Sequence, residues 1–223
     1  TESSPSARRS AGCSWRCWSI ITFASSYAMW RCLAVLVLLW SVAACDSSST
    51  VSQAQFQGID ITGADYGKAL KLTDHTGKTR GLDDFKGKVV LVFFGFTQCP
   101  EICPTTLHDL AKVLKQLGSD AERVQVLFVT LDPQRDSQEL LAKFVPSFHP
   151  SILALRGDEA ATKAAAQSFH VFFEKRPGTT ADNYTIEHFT GTFVFDRDGR
   201  LRLLMNYGIG IDKMLHDVKL LLS

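Results

Sequence analysis

Phe94-Gly95-Phe96-Thr97-Gln98-Cys99-Pro100-Glu101-Ile102-Cys103-Pro104-Thr105-Thr106-Leu107 is the stretch on which the fold turns. An apolar run, residues 89–96, leads into it. A helix is expected to leave from it at Pro104, whose missing N–H suits the first helical position. Two cysteines four residues apart lie between that strand and that helix. Cys103 falls at the helix entrance, where free N–H groups and the helix dipole favour a thiolate. Glu101, between the two sulfurs, opposes full thiolate formation by like charge. With a helical first turn, Cys99 and Cys103 share one face, about one turn apart. Such a pair can close a disulfide, serve as a redox couple or pinch one soft metal ion. A purely structural disulfide is the weakest of the three, because closing so short a loop contributes little chain entropy.

Working outward, the composition is that of a globular chain: 223 residues, 45% hydrophobic, 21% charged, net charge +1. Residues 1–44 hold four arginines and one glutamate, which leaves 20 basic and 22 acidic residues, net −2, for 45–223. That balance carries no nucleic-acid footprint, and no nucleic-acid partner is expected. Met29-Trp30-Arg31-Cys32 and then Leu33 to Trp40 read as a short charged region followed by an apolar core. The core is too short to span a bilayer and fits a secretory signal. Val42-Ala43-Ala44-Cys45 follows and resembles the lipobox of bacterial lipoproteins, in which the cysteine is lipidated and becomes the new N-terminus. Residues 1–28 are therefore expected to be upstream translation, 29–44 a signal peptide, 45–65 a Ser- and Gln-rich tether, and 66–223 one domain with a real core. The rival reading of the front is a longer N-terminal membrane anchor. Of six cysteines, Cys13, Cys17 and Cys32 are expected to fall in discarded sequence, and Cys45 would carry lipid. Only Cys99 and Cys103 remain as thiols, in a compartment that oxidises exposed ones.

The rest alternates. Residues 70–74 and 79–81 read as short strands around a His75–Lys78 turn, and Phe85 should point inward. Residues 89–96 and 124–131 read as strands covered on both faces. Leu107, Leu110, Val113, Leu114 and Leu117 stand at helical spacing over 104–117. Asp136 with Glu139 predicts a capping pair for a helix through Phe144. An Ala-rich helix is expected from 158 or 159 to about 169. Strands follow at 170–174, 184–188, 192–195 and 201–206, then a last helix with Met214, Leu215, Val218, Leu221 and Leu222 on its apolar face. Strand–helix–strand–helix, then a hairpin and a closing helix, is the order of a thioredoxin-like α/β fold, here with an N-terminal β-hairpin extension and a central mixed sheet flanked by helices. In that fold the active thiols sit at the first strand-to-helix junction, where Cys99 and Cys103 lie.

The chain resembles the SCO/SenC family of copper-handling, membrane-attached proteins. The resemblance rests on the opening stretch from Phe94 to Pro104, on Leu131-Asp132-Pro133-Gln134-Arg135-Asp136, and on Glu187-His188. Leu72-Thr73-Asp74 and Phe85-Lys86-Gly87-Lys88 add support, although other thioredoxin-like families share them. It covers the chain from about Leu70 onward. It implies a metal site of Cys99, Cys103 and His188 that binds Cu(I), and in related proteins also Cu(II). It implies delivery to the copper-bearing subunit of cytochrome c oxidase during assembly. Other periplasmic copper chaperones or thiol reductases are candidate partners. Lipid at Cys45 would place the domain on the outer, periplasm-facing side of a bacterial cell membrane. Two thiolates and an imidazole suit copper of low coordination number. The family often has Asp-His where this chain has Glu187-His188, which puts the outer partner of His188 in question. Gly191 stands where thioredoxins carry a cis-proline that faces the thiols, which speaks against a general disulfide exchanger. The alternative is a thiol–disulfide reductase acting on the oxidase's cysteines, with Cys99 attacking and Cys103 resolving. A peroxidase is a third reading, for which Arg135 is the one candidate partner arginine. His75, His108, His149, His170 and His216 are expected to be surface or structural residues, and Met205 and Met214 core residues. Asp132 either orients the site or ends a strand.

Overall fold

In a computed structural model of the protein, residues 55–178 and 183–223 are described. The expected upstream segment, the signal peptide, Cys45 and the first part of the tether lie outside them. No described helix is long and apolar enough to cross a membrane.

Ten strands are formed among the described residues. They are β1 Ile59–Asp60, β2 Lys71–Asp74, β3 Thr79–Gly81, β4 Val89–Gly95, β5 Val124–Thr130, β6 Leu153–Arg156, β7 Phe173–Pro177, β8 Tyr184–His188, β9 Thr192–Phe195 and β10 Leu201–Met205. The helices are α1 Ile102–Leu117, α2 Gln138–Phe144, α3 Glu159–Ser168 and α4 Ile211–Leu222. Eight strands make one mixed sheet in the order β1-β10-β9-β4-β5-β6-β2-β3, and β7 pairs with β8 in a separate ribbon. The thioredoxin-like arrangement and the β2–β3 hairpin at one edge stand as the residue pattern implies.

Strand β4 shows why its run is apolar throughout. Val89, Leu91 and Phe93 face one core with α1 and α4. Val90, Val92 and Phe94 face a second core with Ala165, Ala166 and Phe169. A strand covered on both faces has no solvent side to mark with polar residues. Parallel β5 runs beside β4 in register from Val89↔Val124 to Gly95↔Thr130, so both strands end at the same level. Strand β9 is antiparallel to β4, with Thr192 opposite Phe93. The start of β9 therefore lies at the end of β4, and residues just before Thr192 are brought to the junction that carries the cysteines.

Three expectations need correction. Residues 55–65 do not behave as tether, because β1 pairs with β10 and the preceding backbone is clamped by a buried carboxylate. Asp217 accepts the Gln57 N–H at 2.9 Å and the Gly58 N–H at 2.8 Å. The strand expected at 170–174 begins at Phe173 instead, because the chain leaves α3 through His170 at φ 55, stacked on Tyr66. Left-handed backbone at a helix end cannot continue into a strand without a turn. Asp136 does not cap α2. Ser137 does, accepting from the Leu140 N–H at 3.2 Å, while Asp136 turns inward.

Asp217→Ala should leave two backbone N–H groups of the β1 segment without their acceptor. We expect a loss of about 1–3 kcal/mol in urea unfolding, with faster amide exchange at Gln57 and Gly58 and unchanged exchange in β4. Unchanged exchange at those two amides would show that the clamp carries no weight.

Candidate metal centre

After Gly95 the chain leaves the sheet, and the Cys99 N–H donates to the Phe96 carbonyl at 3.3 Å. Helix α1 then begins at Ile102, two residues earlier than expected, with Pro104 at its third position. The Thr105 N–H bonds to the Glu101 carbonyl at 3.1 Å. The N–H groups of the first turn before it have no intrahelical partner. One of them, on Cys103, donates to Cys99 Sγ at 3.4 Å. The sulfur at the helix N-terminus is thus that of Cys99, not Cys103.

The electrostatics follow. Cys99 is half-buried and Cys103 fully buried, and both are free thiols. A hydrogen bond from the Cys103 thiol holds Cys99 down to about 4 against the opposing effect of burial, with the N–H groups of Cys103 and Glu101 adding to it. The same bond, and then burial, push Cys103 upward, so it keeps its proton. The expectation of a thiolate at Cys103 is therefore reversed. Gly95 makes the packing possible: a Cβ there would lie 2.8 Å from Cys103 Sγ and 2.9 Å from the Phe128 ring.

His188 ends β8, opposite Phe173, and is half-buried. Its Nε2 lies 3.6 Å from Cys103 Sγ. Its Nδ1 is 2.7 Å from the Phe189 carbonyl, a contact that puts the proton on Nδ1 and leaves the Nε2 lone pair for a metal. Phe93 and Phe96 stand edge-on to the imidazole at 6.4 and 5.9 Å. The ligand atoms of Cys99, Cys103 and His188 all lie within 4.8 Å of one another. The outer partner of His188 is thus a backbone carbonyl. Glu187 instead pairs with Arg176 at 2.8 Å across the ribbon, so the Glu-for-Asp departure leaves the imidazole untouched. Gly191 lies beside it, where a Cβ would meet the tip of the Phe189 ring at 2.6 Å and the ring would have to shift.

Behind the site lie two buried carboxylates. Asp136 accepts from the Thr97 N–H at 3.1 Å, the Thr97 hydroxyl, and the Thr130 hydroxyl at 2.6 Å. Burial raises its pKa despite these bonds. Asp132 accepts the Tyr184 hydroxyl at 2.7 Å and is ion-paired with Arg135. Of the two roles weighed for Asp132, this assigns it to orienting the surroundings of the site. Arg135 also bonds Gln98 and the Tyr184 carbonyl, so Nε and Nη1 of the arginine offered to a peroxidase are taken up, while Nη2 is buried without a hydrogen-bond partner. Thr97, Tyr184 and the inward turn of Asp136 were not singled out from the sequence. The pairing of two aspartates around Arg135 at a strand end was the available signal.

The remaining histidines behave as expected. His75 accepts the Ala154 N–H, His149 bonds Ser151, His170 stacks on Tyr66 and His216 contacts Asp217. His108 is exposed. Met205 and Met214 are buried in the core.

Comparison with known proteins agrees with this architecture. The human mitochondrial SCO2 homologue is 38% identical over 130 residues, which cover 57% of this chain and 49% of that protein. The chain spans about half the length of the curated mammalian relatives it matches. The solution structure of apo Sco1 from Thermus thermophilus superposes with a TM-score of 0.67 at 38% identity, covering 75% of this chain and 97% of that one. Bradyrhizobium japonicum ScoI, solved with copper bound, superposes with a TM-score of 0.63 at 33% identity, over 73% of this chain and 97% of that one. The SCO1/SenC family model matches residues 60–223. With the thiol pair at the strand-to-helix junction and the histidine delivered to it, this chain belongs to the SCO1/SenC family.

Proposed function

We propose that the protein is a copper metallochaperone whose cargo is held by Cys99, Cys103 and His188. The observation that carries this reading is the convergence of two sulfurs and one lone-pair nitrogen within 4.8 Å. Those donors suit Cu(I), and with the imidazole also Cu(II), whereas carboxylates would favour harder ions. The nearby carboxylates, Asp132 and Asp136, are occupied by other partners. The related ScoI holds copper, which supports the same cargo here. Half-exposed Cys99 is the donor an incoming ligand reaches first, so transfer would proceed by exchange of one ligand at a time. The family resemblance makes the copper-bearing subunit of cytochrome c oxidase the recipient. Lipid at Cys45 would hold the domain to the periplasm-facing side of the membrane, where other copper chaperones or thiol reductases would load or reduce it.

One observation favours a second reading, a thiol–disulfide reductase. Cys99 is accessible with its thiol held down to about 4, and Cys103 is buried and protonated. The Cys99 thiolate would attack a partner disulfide and release one partner thiolate. Cys103 would give up its proton and displace the second, leaving a Cys99–Cys103 disulfide and a partner dithiol.

Under anaerobic titration against a competing chelator, the reduced protein should bind one Cu(I). Cys99→Ala and His188→Ala should each weaken binding by more than the roughly 10- to 100-fold that losing an outer partner of a metal ligand costs. Weak binding by the native protein, or no change in His188→Ala, would turn the assignment to the reductase. Alkylation gives an independent check on the thiols. A depressed folded pKa keeps Cys99 ionised above that value, so its rate with iodoacetamide should level off above about pH 5, while Cys103 stays unreactive until unfolding. A rate that keeps rising with pH up to about 8 would contradict the site's electrostatics.

A further inference from the structure

Among the described residues, strands β7 and β8 pair only with each other. A two-stranded ribbon is marginal in water unless other groups hold it down. His188 closes that ribbon, so the place of the third ligand depends on its fastening. Ile186 and Phe173 supply apolar contact with the core. Lys175 adds an exposed bond to Gln134 at 2.9 Å. The shielded polar contact is Arg135. Its Nη1 donates to the Tyr184 carbonyl at 2.8 Å and to Gln98 Oε1 at 3.1 Å, while Nε pairs with Asp132. The guanidinium lies 3.6 Å from the Tyr184 ring centroid, and the Tyr184 hydroxyl closes back onto Asp132 at 2.7 Å. The side chain of Arg135 is 15% exposed and that of Asp132 is 0% exposed, so little water competes for the bonds to Asp132 and the Tyr184 carbonyl, whereas the Gln98 bond is exposed. Gln98 precedes Cys99, and Tyr184 stands four residues before His188 on the same strand. One planar cation therefore touches the loop that carries the first sulfur and the strand that carries the imidazole.

We propose that Arg135 is the positioning residue that holds His188 against the cysteine pair, with Asp132 and Tyr184 as its anchors. The proposal rests on the reading of His188 as the third ligand. It requires arginine: a lysine at 135 would keep the charge but could not bond three acceptors from a flat fork while lying on the Tyr184 ring.

Two measurements test it. In the reduced, metal-free protein, the NMR signals of the His188 imidazole should shift or broaden in Arg135→Ala and equally in Arg135→Lys, while those of His75 and His149 hold still. Cu(I) affinity should fall about 10- to 100-fold in Arg135→Ala. Arg135→Ala combined with His188→Ala should bind within about twofold of His188→Ala alone, because both changes remove the same ligand. Tyr184→Phe keeps the stacked ring and loses only the hydroxyl. It should show a smaller, likewise non-additive loss, and it decides the matter if Arg135→Ala does not fold. Losses that add, or a His188 signal unmoved by these variants, would overturn the proposal. If His188→Ala alone leaves Cu(I) affinity unchanged, the ligand reading fails, and the imidazole signals still decide whether Arg135 positions the ring.

Discussion

A carboxylate with no exposed surface, Asp136, underlies the whole site. It takes a backbone N–H and a hydroxyl from Thr97 and a second hydroxyl from Thr130. Thr97 follows the end of β4 and Thr130 ends β5, so one side chain ties together the two strand ends that support the cysteine loop. Burying a carboxylate is costly unless its oxygens are bonded, and here the donors meet much of that need. The direction of the remaining imbalance is visible in the raised pKa of Asp136. The same buried layer includes Asp132 and Arg135, and through Tyr184 it reaches the ribbon that carries His188.

The two sulfurs are then distinguished by place alone. Both belong to the same five-residue stretch, yet one faces the free N–H groups of a helix start and the other lies against Gly95 and the Phe128 ring. A shared proton settles on the buried sulfur, because the half-buried one can be stabilised as an anion by N–H donors. The same asymmetry serves metal exchange and thiol chemistry alike. It therefore supports both readings of the site, and the imidazole is what separates them.

Much of this was legible in the residues because local pattern and global fold agree. The double-sided apolar run of β4, the helical spacing of Leu107 to Leu117 and the cysteine pair between them fix the junction without reference to distant contacts. His188 was reachable only through family resemblance, since no local rule brings residue 188 to residue 103. The fold does so through antiparallel pairing of β9 with β4. The errors share one cause. Asp136 three residues before Glu139 looks like a helix cap, and His170 to Glu174 looks like a strand, when only neighbours are considered. Tertiary contacts overrode both: a buried carboxylate found better donors across the sheet, and a left-handed His170 stacked on Tyr66. The identity of the sulfur at the helix N-terminus likewise turned on a two-residue difference in where α1 begins.

Gly95 offers no donor atom, no charge and no side chain, yet its Cα is where the buried sulfur comes to rest. A methyl group at that point would run into Cys103 Sγ and the Phe128 ring, and one of them would have to move. The place of the buried sulfur is thus written partly in an absent side chain. A survey confined to residues that could touch a metal would pass over the position that leaves room for the buried sulfur.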